Sequence, residues 1–258
     1  MLEILVLGSG SSGNCVYVGT EKTSVLIDAG ISLKLTREKL SRFGLDISDV
    51  KALLISHEHH DHILHAERIA LERSIPLYLS HLLPKSLIAR KEGIIFEEFK
   101  AGRTFTIEDL EILPLSVPHD ARDPVGFLIA NGRTRVGVFT DLGLVTPQLL
   151  SAFRECSALV IEANHDEDLL LKGPYPPFLK ARVGGPNGHL SNKQTARALA
   201  SIASDRLKSA LLAHLSRTNN TPNLALLTVN RYLEKCDRNL SLFVCGENGS
   251  DKPLRVAE

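Results

Sequence analysis

The chain has 258 residues, 43% of them hydrophobic and 23% charged, and its 30 basic and 30 acidic side chains cancel to a formal net charge of zero. These are the values of an ordinary globular protein with material for a substantial core; a purely electrostatic nucleic-acid binder is excluded, and no apolar run approaches the ~20 residues of a membrane-spanning helix. Four widely spaced cysteines, Cys15, Cys156, Cys236 and Cys245, form no C-x-x-C pair, and "MLEILVLGSG" lacks a basic n-region and a long apolar run. A cytoplasmic protein with reduced thiols is therefore expected.

In chain order, strands are expected at 2–7, 15–19, 24–28 and 51–55, with a helix at about 34–43. The segment 62–74, "HILHAERIALERS", carries Ile63, Ala66, Ile69 and Ala70 at helical spacing. "IPLYLS" reads as a strand, "LLPKSLIARK" as a helix, and Phe105 to Val117 as two strands. "VGFLIAN" and "TRVGVFT" bracket "GR" as a hairpin, and "CSALVIEA" is another strand. "SNKQTARALASIAS" opens on a capping Ser, "SALLAHL" is a strand, "NLALLTVNRYLEK" a helix, and "LSLFVC" a last strand. This mixed alternation indicates layered α/β. No internal repeat is visible. The stretch 172–188, "KGPYPPFLKARVGGPNG", is the only long irregular segment, and it reads as a functional loop.

"GSGSSG" at Gly8 to Gly13 fits a dinucleotide fingerprint, with Asp28 about 20 residues on. That fingerprint needs a helix opening in the glycine loop. Here Val16, Val18, Val25 and Ile27 flank the turn "GTEKT", which makes a β-hairpin, so no nucleotide cofactor is expected. The small residues could instead bring backbone amides to a phosphate, or simply make a tight turn.

The densest chemistry is "HEHHDH", His57 to His62, after the apolar strand "VKALLI". Alternate residues of an extended segment face one way, so His57, His59 and Asp61 can converge and His62 can turn in as a helix begins. Imidazoles and a carboxylate suit a divalent cation such as zinc or manganese, and burying them without one would leave polar atoms unpaired. Glu58 and His60 point the other way.

H-x-H-x-D-H after a strand resembles the metal signature of the metallo-β-lactamase superfamily. "LIDAG" with Asp28, "VPHDA" with His119, "FTDLG" with Asp141 and "LLAHLS" with His214 follow that pattern in order. The resemblance implies a four-layer αβ/βα sandwich with two mixed sheets. It implies one metal on His57, His59 and His119, a second on Asp61, His62 and His214, and Asp141 bridging them. Two such Zn²⁺ or Mn²⁺ ions would share a hydroxide as nucleophile, and Asp61 would take part in catalysis.

"LVIEANHD" and "GPNGHLSN" supply Glu162 and His189, a pair that resembles the one in the superfamily's phosphodiesterases. There the His donates a proton to the leaving oxygen and the Glu only orients it; a packing role for a lone His is the plainer alternative. Asn164 and His165 are weaker candidates for supporting this centre. With "LGSGSSGNC", "HDARDPVGF", "TDLGLVT" and "LAHLSRTNNTPNLA", the chain is similar to the bacterial YycJ (WalJ) group from Leu2 to about Val229, apart from His60, where a small residue is usual. That similarity implies a metal-dependent DNA exonuclease acting 5′ to 3′, associated with DNA repair. It implies a single domain, residues 1–258, since Asp141 and His214 lie too close in sequence for a β-CASP insert. Ser11, Ser12, Asn14, Lys172, Lys180, Arg182, Ser216 and Asn219 are the candidate substrate contacts; Lys193, Tyr175 and Phe178 accompany them, and aromatics among cations suit a nucleic-acid strand. No membrane is expected as a partner, and the oligomeric state stays open. A PhnP-like cyclic phosphodiesterase, a tRNA 3′-processing-type RNase and a non-catalytic dimetal protein are the alternatives.

Overall fold

Strands rich in Val, Ile and Leu with no polar face must be covered on both sides. The first strand behaves so: in β1 (Leu2–Gly8), Leu2, Ile4 and Val6 face one core cluster, and Leu5 and Leu7 face another. The computed structural model describes residues 1–87, 92–202, 206–236 and 239–257. After β1 come β2 (Cys15–Gly19), β3 (Ser24–Ile27), α1 (Leu33–Ser41), β4 (Val50–Leu54), α2 (His60–Ile63) and α3 (Ala66–Arg73). β5 (Leu77–Ser80), β6 (Phe96–Phe99), β7 (Phe105–Ile107), β8 (Leu110–Ser116), β9 (Val125–Asn131) and β10 (Thr134–Phe139) follow. The remainder is α4 (Pro147–Arg154), β11 (Ala158–Glu162), α5 (Glu167–Lys172), α6 (Pro177–Val183), α7 (Asn192–Ser201), β12 (Ser209–Ala213), α8 (Pro222–Lys235), β13 (Ser241–Val244) and β14 (Leu254–Val256).

Two seven-stranded mixed sheets result, β14-β1-β2-β3-β4-β5-β6 and β13-β12-β11-β10-β9-β8-β7. Their facing sides share one core, with Val6, Ile27 and Leu54 from the first sheet and Phe127, Val138 and Val160 from the second. A second cluster seats Leu33 and Leu40 of α1 and Ile69 of α3 on the outside of the first sheet. A third seats Phe153 of α4, Leu199 of α7 and Val229 of α8 on the second. Helix, sheet, sheet, helix are the four expected layers.

The sheets share a pattern the sequence conceals. Each begins with three antiparallel pairings and ends with three parallel ones, so β3, β4 and β5 correspond in position to β10, β11 and β12. The carboxyl ends of these parallel strands are where an α/β sheet places its chemistry.

Four expectations change. The helix over 62–74 is two: the His65 amide donates to Ala29 O, outside any helix, and α3 restarts at Ala66. The described part of the helix over 82–91 is one 3-10 turn, Lys85–Leu87, and 88–91 lie outside the described residues. The stretch 172–188 is not an irregular loop, because Pro177 starts α6: at the first helical position its fixed φ favours the helix and its missing N–H is no loss. "LSLFVC" is not the last strand, since β14 returns to pair antiparallel with β1, and β6 was not anticipated. Ser191 caps α7 as expected, with a full capping box to Gln194. No helix among the described residues is long and apolar enough to cross a membrane.

The glycine loop after β1 forms a hairpin with β2 and no helix, so the dinucleotide reading is excluded. Its amides are used internally: Gly10 N donates to Asn14 Oδ1, Gly13 N to Gly10 O, and Asn14 N to Asp61 O. The loop therefore cradles α2. Gly30 closes the cradle, where a Cβ would stand 1.8 Å from Asp61 O and 2.4 Å from Asn14 N. Gly30→Ala must push α2 away, and overpacking of this kind costs about 1–3 kcal/mol. A lowered urea midpoint together with reduced metal uptake is expected; an unchanged midpoint would show that the cradle yields.

Candidate metal centre

Two left-handed residues set the first half of the site. Asp28 follows β3 at φ 62°, and Asp141 follows β10 at φ 52°, the corresponding place in the other sheet. His214, directly after β12, has φ 56°. Such a backbone is uncommon for residues with a Cβ, and its strain persists only where surroundings enforce it. For Asp28 the enforcement is visible: Oδ1 accepts from Ser56 N at 2.8 Å, and Oδ2 lies 2.8 Å from His62 Nδ1. Ser56 Oγ is 2.9 Å from His57 Nδ1, so Asp28 and Ser56 together orient both imidazoles. Sequence reasoning missed Ser56; its only signal was adjacency to His57.

His57 and His59 converge with His119, their donor atoms all within 4.8 Å of one another, and Asp61, His62 and His214 form a second such group. Asp61 does so from the first turn of α2, not from an extended segment as expected, with His62 turning in beside it, since His59 is the N-cap and the helix begins at His60. Asp141 reaches both groups: Oδ1 lies 3.6 Å from His119 Nε2 and 3.7 Å from His214 Nε2, and Oδ2 lies 3.0 Å from His62 Nε2. Glu58 accepts from the exposed Arg122 amide, pointing outward as expected. Asn14 Nδ2 contacts Asp61 Oδ2 at 3.1 Å and His62 Nε2 at 2.9 Å.

The residues fit cations. His57 Nε2 and His214 Nε2 are buried without a hydrogen-bond partner among the described residues, a cost that a coordinated ion removes. The two groups differ in protonation. Burial, helped by neighbouring imidazoles, holds His57 well below the usual histidine value, and burial also lowers His119. Burial opposes charge on His62 too, but Asp141 and Asp28 outweigh it and lift His62 to about 10. His214 is likewise raised well above its usual value, against burial, by Asp141, Asp61 and Glu162.

Glu162 ends β11 fully buried. Its Oε1 accepts from His189 Nδ1 at 2.9 Å and from His214 Nδ1 at 2.6 Å. Its Oε2 accepts from Leu142 N at 2.8 Å and Leu190 N at 3.2 Å. The carboxylate therefore supports the second group as well as His189, correcting its expected role as orienter of His189 alone. Burial raises the Glu162 pKa, yet His189 and His214 pull it down to about 2. His189 is raised: burial opposes its charge, and Glu162 and Asp141 prevail. Asn164 donates to His214 O at 2.8 Å, so it helps as expected. His165 is buried with Nδ1 unpartnered and contacts neither group.

An open cleft exposes Ser11, His59, Asp61, His119, Asp120, Asp141, Arg182, His189 and His214. Of the candidate substrate contacts, Ser11 and Arg182 line it. Asn14 and Asn219 are buried and cannot face a substrate where they stand. Ser12, Lys172, Lys180 and Ser216 lie outside its walls: Lys180 Nζ donates to Leu171 O, and Ser216 Oγ accepts from Asn219 N. Lys193 is held by Glu167 at 2.8 Å.

A family model described as a beta-lactamase superfamily domain matches residues 23–214. The chain is 35% identical over 242 residues to the exodeoxyribonuclease YycJ of Bacillus anthracis, covering 91% of this chain and 90% of that one. It is 32% identical over 237 residues to the exodeoxyribonuclease WalJ of Streptococcus pneumoniae serotype 2, covering 90% and 88%. The metallo-β-lactamase fold protein YhfI from Bacillus subtilis is similar in structure, with a TM-score of 0.75 at 16% identity over 95% of this chain and 97% of that one.

Two outcomes are expected of metal titration. Elemental analysis of the loaded protein gives two divalent cations per chain, and Asp141→Ala weakens both sites; a ceiling of one cation would contradict this. His57 and His119, held low by burial, bind without releasing protons, whereas a raised pKa means His62 and His214 must each shed one. Affinity at the second site should rise up to about tenfold per pH unit for each proton released, which calorimetry in two buffers of different ionisation enthalpy measures.

Proposed function

The chain belongs to the metallo-β-lactamase superfamily, in the group of the YycJ and WalJ proteins, and on that premise we propose that it is a dimetal phosphodiesterase trimming DNA from an end, 5′ to 3′, in DNA repair. The observation that carries this reading is the Glu162–His189 pair. With Nδ1 fixed on Glu162, the His189 ring keeps Nε2 for the cleft, beside His119 and His214 at ring-centroid distances of 5.3 and 5.2 Å. An alkoxide leaving from phosphorus is a poor leaving group, and an acid placed there would protonate it as it departs.

His57, His59 and His119 would hold one cation and Asp61, His62 and His214 the other, Asp141 joining them, with zinc or manganese suited to the donors. Such ions polarise a phosphoryl oxygen and lower the pKa of coordinated water from ~15.7 to about 7. The protein's own groups do the rest. Protonated His189 donates from Nε2 to the leaving oxygen, while Glu162 stabilises the imidazolium through Nδ1. Asp61, whose side chain is 25% exposed at the cleft, is placed to take a proton from the attacking water at a carboxylate oxygen. Among the described residues, α4 to α7 with β11 and β12 occupy the chain between Asp141 and His214, which supports a single domain without a β-CASP insert and a cleft open to a polymer end. All four cysteines are free, which supports a cytoplasmic setting.

With added manganese or zinc, linear DNA and bis(4-nitrophenyl) phosphate should be cleaved, and cephalosporins and glutathione thioesters left intact. End-labelled duplexes should shorten from the 5′ end; shortening from the 3′ end would reverse the polarity assigned. His189→Ala should lose about 10²–10⁴-fold in kcat with little change in KM and full metal content. Glu162→Gln should lose kcat and also weaken the second metal site, because it holds His214 too. A metal-replete His189→Ala enzyme with near wild-type kcat would remove His189 from the chemistry.

A further inference from the structure

Phe178 is the most exposed large hydrophobic side chain among the described residues, at 75%. A lone exposed apolar ring matters when it stands beside a site, and this one does. It lies on α6, where Leu179, Arg182 and Val183 line the cleft that holds His189. Phe178 and Arg182 are four residues apart, so they share one face of the helix. Among the described residues, Arg182 uses Nε alone, on Asp120 Oδ2 at 3.1 Å, and its two terminal nitrogens make no hydrogen bond. Both side chains of that ion pair are 60% exposed, so it contributes little and is easily exchanged. A phosphate would take the planar guanidinium through two N–H groups.

The helix is also geared to the chemistry. His189 N donates to Val183 O at 2.8 Å, and Gly188 O accepts from His119 Nδ1 at 3.1 Å. Gly188 is wedged against α6, where a Cβ would stand 2.1 Å from Arg182 O and 2.3 Å from Val183 O. Whatever rests on α6 is held in fixed register with the proposed acid and with His119.

We infer that this face of α6 is a nucleobase subsite: Phe178 stacks on a base near the DNA end, and Arg182 leaves Asp120 to hold the adjacent phosphate. The inference rests on the nuclease reading above. A base inside a duplex already has both faces stacked, so the subsite selects frayed or single-stranded ends over blunt ones. Cations beside an exposed ring favour a nucleic-acid strand over an apolar protein surface.

The test is steady-state cleavage of single-stranded DNA, intact or carrying one abasic position at each of the first nucleotides. Phe178→Ala should raise KM by roughly 5- to 150-fold with kcat nearly kept, the size of one lost stacking contact. Phe178→Trp should restore it. One abasic position should cost the unsubstituted enzyme a similar factor and cost Phe178→Ala nothing further. Additive losses, or an unaltered KM in Phe178→Ala, overturn the subsite while the nuclease reading stands. Hydrolysis of bis(4-nitrophenyl) phosphate without any DNA cleavage overturns both. A change in sedimentation of Phe178→Ala with DNA cleavage unaltered assigns the face to contacts between copies, and also overturns it.

Discussion

The buried Glu162 carboxylate is the point on which the second half of the site is assembled. Its two oxygens accept from two imidazoles and two backbone amides, His189, His214, Leu142 and Leu190. Leu142 directly follows Asp141, so one side chain fixes the carboxylate that reaches both groups, the His214 imidazole and the proposed acid. A buried carboxylate is tolerable only when its lone pairs are filled and opposite charge is near. Here both conditions are met by the groups it positions, and the cost of burying it is offset by what it organises.

Asp28 plays a similar part from the first sheet, holding His62 directly and His57 through Ser56, one imidazole from each group. The correspondence is topological: Asp28 and Asp141 each leave the first parallel strand of their sheet with a left-handed backbone. That conformation turns a side chain back across the strand ends instead of along the chain. The site therefore forms where the parallel ends of both sheets meet, and neither sheet could build it alone. Strain is concentrated where packing and hydrogen bonds on every side can hold it.

The charge pattern has a consequence for loading. In one cluster burial keeps His57 and His119 neutral, and in the other carboxylates raise His62 and His214. Before ions arrive, protons on His62 and His214 face Asp141 and Glu162. Ions and protons thus compete for the same lone pairs at His62 and His214 but not at His57 and His119.

Much of this was legible in the sequence because it is local. Strand ends marked by "LIDAG", "HEHHDH", "FTDLG" and "LLAHLS" pointed to the candidate metal-binding residues and the layered class, since apolar runs and donor-rich ends are properties of short segments. The hairpin after "GSGSSG" was equally local, and β-branched residues ruled out the nucleotide fold. What required the tertiary structure were facts about separation in space. Asn14 and Asn219 looked like substrate contacts until burial removed them, and "PYPPFLK" looked irregular although its second adjacent Pro starts a helix. The double duty of Glu162 joins residues on β11, after β12 and ahead of α7, and no spacing along the chain reveals that one carboxylate reaches them all. Composition and periodicity report which face of an element is apolar; only the packing of two sheets decides which strand ends meet.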